Sequence, residues 1–312
     1  MADGDNWERS VLEKLALAAL KEQRAARQWG IFFKLIGFGL FVVVLGTLLG
    51  WFETRDGTSS GKHTAIVELS GVIEPDGRAS AENIIAGLQA AFKDKDTQGV
   101  ILRINSPGGS PVQSGQINDE MRRLKAKYPN TPLYAVVEDV CASGGYYVAV
   151  AADKIYVNKA SLVGSIGVIL DGFGVVGAME KIGVERRVQT AGSNKAFLDP
   201  FSPASPEQQK YAQQMLDEIH KQFIDVVKAG RGARLKETPE LFSGLVWNGA
   251  RSIEMGLADE LGSVEQVARD TIKAEDMVDY TVKEKLTDRL ARRFGALLGT
   301  GFASTMTQFK LR

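Results

Sequence analysis

Alternating apolar runs and amphipathic stretches between residues 64 and 229 predict an α/β fold built on a parallel sheet. An uncharged 18-residue run, Leu35 to Phe52, precedes them and predicts one N-terminal membrane helix. A third observation is that three glycine-rich turns follow predicted strands, at 105–110, 141–145 and 164–167. In parallel α/β sheets that is where sites collect.

The membrane helix is assigned to residues 30–52. Ile31 to Phe33 extend the apolar run, Lys34 is close enough to one end to snorkel, and Trp29 and Trp51 mark the two edges. The preceding residues are too many for a signal-peptide n-region, and Leu-Leu-Gly-Trp-Phe offers no small-x-small cleavage site, so retention as an anchor is expected. Lys21, Arg24, Arg27 and Lys34 on the near side outnumber Arg55 and Lys62 on the far side. By the positive-inside rule residues 1–29 are then cytoplasmic and the large domain extracytoplasmic. Gly46 and Gly50 form a GxxxG pair, a weak signal for helix packing.

Residues 53–63 read as a polar linker. Thr64–Leu69, Gly99–Ile104 and Pro132–Val137 read as buried strands, with helices over 81–92 and 112–127 between them. Further strands are expected at Val163–Leu170 and Val184–Gln189. A long helix follows from Pro206 to Ala229, with proline early and Gly230 just past its end. The domain is placed at 64–275. A C-terminal segment, 276–312, holds an amphipathic stretch over 285–298 with Leu286, Leu290, Phe294 and Leu297 on one face.

Composition narrows the chemistry. Lys+Arg and Asp+Glu are equal at 38 each, so no electrostatic footprint for nucleic acid exists. One cysteine, Cys141, excludes an internal disulfide and a cysteine zinc site, and two histidines, His63 and His220, exclude a His-rich metal site. No cofactor is implied.

Ser143 lies between a strand and the helical run Tyr146–Val150, where a hydroxyl would project at a helix N-terminus that favours developing negative charge. The N–H of Gly144 and that of Gly109 in the first turn are the candidate oxyanion donors. The ordinary alternative is that Ser143 only N-caps its helix. For a base, His63 directly follows the linker and His220 lies within the long helix, far from any strand end. Lys195, in the turn Gly192-Ser-Asn-Lys after the strand expected at 184–189, is the better candidate, because burial can lower a lysine pKa. Cys141 reads as a small buried residue, Glu138-Asp139 as loop acids, and Gly172-Phe-Gly-Val-Val-Gly177 as a GxGxxG match too late in the domain for a dinucleotide site.

Asn105-Ser-Pro-Gly-Gly, Ala142-Ser-Gly-Gly-Tyr-Tyr-Val-Ala, Ala151-Ala-Asp-Lys-Ile-Tyr, Gly164-Ser-Ile-Gly-Val and Ala191-Gly-Ser-Asn-Lys occur in order. Gly249-Ala-Arg and Gly256-Leu-Ala-Asp-Glu-Leu-Gly follow them. The set resembles the signal peptide peptidase A family, protease IV-type serine peptidases of the ClpP/crotonase fold, over about residues 65–267. The resemblance implies a Ser143 nucleophile, a Lys195 base, an oxyanion glycine at Gly109 and a lysine-orienting serine at Ser165. The chain departs from the family at Asn194, where an aromatic residue is common. The resemblance also implies hydrophobic peptide substrates such as residual signal peptides, membrane lipid as surroundings, and a bacterial inner-membrane location. It further implies a homo-oligomer, an octamer in the short single-domain form, in which neighbours share each dyad. The alternatives from other classes are a crotonase-like acyl-CoA binder, active without Ser143, and an inactive membrane scaffold.

Overall fold

The computed structural model describes residues 4–48 and 61–283. The chain divides into two units, residues 1–55 with 283–312, and residues 56–282.

In the first unit, helix α1 (Gly4–Leu48) runs unbroken for 45 residues, about 68 Å at 1.5 Å per residue. Its stretch Leu20–Gly46 is long and apolar enough to cross a membrane and is 6% buried. A core helix of that composition would be covered by its own protein. The boundary placed at residue 30 is therefore not a structural break. With no proline to interrupt it, the helix continues from the polar N-terminal residues into the apolar run. Residues 49–52, with Trp51 and Gly50, lie outside the described residues.

The second unit is built on an eight-stranded sheet. Strands β1 (His63–Ser70), β2 (Thr97–Ser106) and β3 (Leu133–Ala142) lie side by side and parallel. Helices α2 (Ala81–Lys93) and α3 (Pro111–Lys127) make the crossovers. Both start on serine caps: Ser80 Oγ accepts from Asn83 N, and Ser110 Oγ accepts from Gln113 N with Pro111 behind it. Val67, Leu69, Leu102, Ile104 and Val137 pack against Ile84, Leu88, Ile117 and Met121 as the main core. Ile66, Ile101, Val136 and Tyr156 cover the other face with Val264, Val267 and Ala268.

The sheet divides at β3. Its first half, Tyr134–Val136, pairs with β4 (Lys154–Val157), whereas its last three residues, Val140–Ala142, pair with β5 (Leu162–Gly164). Antiparallel β6 (Val246–Asn248) closes that side. The short β7 (Glu260–Leu261) pairs with β4, and β8 (Met277–Asp279) pairs with β1 at the other edge. The domain placed at 64–275 therefore runs on past its expected end, because β1 offers an open edge that β8 fills. His63, assigned to the linker, already belongs to β1.

Helices α4 (Gly144–Ala149), α5 (Val176–Lys181), α6 (Pro206–Arg231), α7 (Gly249–Glu254) and α8 (Val264–Gln266) complete the described fold. Helix α6 extends beyond Gly230, whose role is packing: a Cβ there would run into the carbonyl oxygen of Val150. The terminating residue is Gly232, at φ 53°. Arg231 is buried and bonds Asp259 through both terminal nitrogens at 2.8 Å and the Gly256 carbonyl at 2.8 Å, tying α6 to the Gly256–Gly262 segment. Burial opposes ionisation of Asp259, but the Arg231 bonds and the Ile155 N–H outweigh it and hold the carboxyl below its ordinary value.

Two expected strands differ. The one at 163–170 stops at Gly164, because Gly164 and Ser165 take φ of 121° and 51° and turn the chain. Residues 184–189 form no strand. Both edges of β5 are already occupied, and the side chains of Val184 and Val188 remain exposed while Arg186 pairs with Asp199 at 2.9 Å. The amphipathic stretch at 285–298 lies outside the described residues.

Candidate active site

β3 leads directly into α4 through one residue, Ser143, whose backbone takes φ 50°, ψ −122°. For a residue with a Cβ this conformation is strained, by about 1–3 kcal/mol, and persists only where neighbours enforce it. The Ser143 N–H donates to the Gly164 carbonyl at 2.9 Å, and its own carbonyl accepts from Tyr147 N at 2.9 Å. The side chain, by contrast, makes no cap bond. Ser143 occupies the N-cap position without capping, so the ordinary role of a serine before a helix does not account for it.

The turn after β2 lies against it. A Cβ on Gly108 would sit 2.6 Å from the Gly144 nitrogen and 2.8 Å from Ser143 Cβ, which only a glycine at φ 98° permits. Gly109 forms a parallel bridge with Ile73, in which Ile73 N donates to the Gly108 carbonyl and Ser110 N to the Ile73 carbonyl, each at 2.8 Å. In that pattern the N–H of Gly109 itself faces away from Ile73. Among the described residues neither the Gly109 nor the Gly144 N–H finds an acceptor. Both glycines line one cavity with Ser143.

That cavity, about 420 Å³, is walled by Tyr147, Val168, Ile219 and Phe223 and also receives Ser165. Ser165 N donates to the Leu245 carbonyl at 2.7 Å, and Gly167 lies close against Gly244. The rings of Tyr147 and Phe223 meet with centroids 5.2 Å apart. Burial, with Asp119 nearby, pushes the Tyr147 phenol above its ordinary pKa. Four of the five residues singled out in the sequence thus meet: Ser143, Gly144, Gly109 and Ser165.

Lys195 does not join them within this chain. It is exposed in a turn where its N–H donates to the Gly192 carbonyl at 3.1 Å, and it does not line the cavity. The missing strand at 184–189 explains the difference, since that strand was the reason to bring Lys195 to the sheet's end.

The two histidines divide. His63 is buried at the opposite end of β1, with Nε2 3.1 Å from the Tyr280 hydroxyl and Nδ1 2.9 Å from the Gly61 carbonyl. His220, expected far from any strand end, instead reaches the Ile166 carbonyl just past β5, at 3.1 Å. Helix α6 packs against α4, and Ile219 and Phe223 on either side of His220 line the cavity. Their i, i+4 spacing, continued by buried Val227, was the signal available in the sequence.

The rival sites separate clearly. Cys141 is buried, and burial raises its thiol pKa far from reactivity. Asp139 accepts from Asn105 at 3.2 Å in an exposed pair. Gly172–Gly177 leads into a six-residue helix with no buried side chain, not into a crossover. Among the described residues no cluster of His, Cys, Asp and Glu is arranged to hold a metal ion.

Fold and site together define an α/β protein of the ClpP/crotonase type with a half-buried serine on a strained strand-to-helix turn. Residues 125–278 match the family model for peptidase family S49. A putative signal peptide peptidase SppA of Enterococcus faecium is 31% identical over 261 residues, covering 81% of this chain and 72% of that protein. A putative protease of Synechocystis sp. is 32% identical over 208 residues, 67% and 73% of the two chains. A Na(+)/H(+) antiporter NhaA of Brucella melitensis is 44% identical over 211 residues, 66% of this chain but only 28% of that protein. The chain thus spans little more than a quarter of that relative, whose name describes a far longer molecule. This chain belongs to peptidase family S49, in its signal peptide peptidase A type.

Proposed function

We propose that this chain is a membrane-anchored serine endopeptidase that cleaves hydrophobic peptides with a Ser143–Lys195 dyad. The observation that carries the reading is the uncapped Ser143 hydroxyl, strained into a cavity beside the free N–H groups of Gly109 and Gly144. Lys195 as a neutral amine takes the Ser143 proton, and the hydroxyl oxygen attacks the scissile carbonyl. The tetrahedral oxyanion accepts hydrogen bonds from Gly109 and Gly144, and the amine leaves with the proton. Water then attacks the acyl-enzyme by the reverse proton path. Ser165 orients the lysine.

The dyad is shared between neighbouring protomers of a homo-oligomer. The exposed position of Lys195 supports this, as do the uncovered side chains of Ile169, Phe173 and Ile182 in the stretch of chain before it, 83%, 85% and 74% exposed. The apolar cavity wall supports hydrophobic substrates, residual signal peptides and membrane-protein fragments among them. Helix α1 supports a single-pass bacterial inner-membrane enzyme with its N-terminus cytoplasmic.

The test is a mixing experiment on a hydrophobic reporter peptide. Ser143→Ala and Lys195→Ala are each inactive, and co-assembly restores part of the activity. Full activity in either single variant refutes the dyad. Activity of Ser143→Ala together with coenzyme A binding would point to an acyl-CoA protein instead.

A further inference from the structure

Helix α3 touches the nucleophile's helix at two places one turn apart. Ser114 Oγ lies where a Cβ on Gly144 would come within 2.5 Å of it, and Ser114 is fully buried. Four residues on, Asn118 is 1% exposed and its Nδ2 donates to the Tyr147 carbonyl at 2.7 Å. Its Oδ1 accepts from Arg122 Nε at 2.9 Å. An arginine Nε–H can only donate, so the amide has one orientation here, with oxygen to Arg122 and nitrogen to Tyr147.

That carbonyl has no helical partner. Helix α4 is six residues long, and the Ala151 N–H that a longer helix would supply turns instead to the Val148 carbonyl at 3.1 Å. Asparagine is a poor residue for a helix interior, yet Asn118 stands in the middle of α3, where its side chain is spent on another helix. Helix α3 also begins immediately after Gly109, with Ser110 as its cap. One helix thus carries one N–H of the cradle at its start and grips the six-residue helix that carries the other.

Resting on the reading of Ser143 as nucleophile, we propose that Asn118 is a positioning residue for the oxyanion cradle. Through the Tyr147 carbonyl it keeps the Gly144 N–H in register with the Gly109 N–H. It touches no substrate. Its effect belongs to the transition state, where the donors meet the oxyanion, and not to substrate binding.

The experiment uses the full-length protein and measures kcat and KM on the hydrophobic reporter peptide beside the folded fraction. Asn118→Asp keeps the shape but sets an oxygen against the Tyr147 carbonyl. It is expected to lower kcat about 10- to 100-fold, as a misplacement near 1 Å does, with KM changed less than about three-fold. Arg122→Met, at an exposed residue, removes only the group that orients the amide, and is expected to lower kcat about three- to ten-fold with KM unchanged. Should Asn118→Asp fail to fold, Arg122→Met decides. A kcat per folded molecule equal to wild type overturns the inference, because a merely structural asparagine would lower the melting temperature and leave turnover alone. Ser143→Ala runs alongside: full activity there refutes the nucleophile itself, whereas an inactive Ser143→Ala with a normal Asn118→Asp refutes the positioning role only.

Discussion

Adding a single methyl group at Gly108 tests whether the two turns form one cradle. In Gly108→Ala the new Cβ would lie 2.6 Å from the Gly144 nitrogen and 2.8 Å from both the Ala142 carbonyl and Ser143 Cβ. Two of these atoms are backbone, so no flexible side chain can yield. Ordinary contact begins near 3.5 Å, so the turns must separate by about 0.9 Å. Forcing alanine to a φ near 98° and overpacking the junction together cost about 2–4 kcal/mol of stability. If Gly109 and Gly144 are the oxyanion donors proposed above, a displacement near 1 Å there is expected to lower kcat on the order of 100-fold. The paired control is Gly115→Ala in α3, where a Cβ meets nothing within 4 Å and the helix gains about 0.5–1 kcal/mol. Thermal unfolding and peptide hydrolysis are measured on both. Gly108→Ala with kcat within two-fold of wild type would refute the argument that the Gly108 turn sets the cradle.

Asp259→Asn leaves Arg231 buried without its counter-charge and is expected to cost about 3–5 kcal/mol, read from denaturant unfolding. Because the folded pKa of Asp259 is depressed, its contribution is full above about pH 3.9 and is lost as pH falls through the folded value, so the variant's stability should depend less on pH in that acid range. At the other end of the scale, burial and then Asp94, which accepts from the Tyr280 hydroxyl at 2.6 Å, push the Tyr280 phenol up to about 12. The folded state therefore holds a proton that the unfolded chain releases near pH 10, and stability falls between about pH 10 and 12. Tyr280→Phe is expected to remove that alkaline component and to cost about 1–2 kcal/mol at neutral pH by equilibrium unfolding.

Much of the fold was legible because its signals are local. Short apolar runs and helical apolar spacing placed β1, α2, β2 and α3 within a few residues, and the serine caps Ser80 and Ser110 fix where the two helices begin. The glycine turns likewise marked Gly109, Ser143, Gly144 and Ser165. What the chain's pattern did not contain was edge availability. The apolar positions at 184–189 look like a strand, yet become one only where a neighbouring edge is free. The edge of β1 is free and takes up β8 beyond the expected domain end, whereas β5 is already paired on both sides. Helix α6 had its apolar face in the sequence, but only its tertiary packing turned Ile219 and Phe223 into a cavity wall and brought His220 to the Ile166 carbonyl. Nor could spacing reveal that Asn118 answers the Tyr147 carbonyl 29 residues away.

By itself, then, the sequence determined the apolar N-terminal helix, the α/β class and the three glycine-rich turns, because each depends on a local residue pattern. Only the tertiary structure decided which strands find partners, what walls the cavity and that Lys195 lies outside it. Those outcomes depend on where distant segments have room to pack.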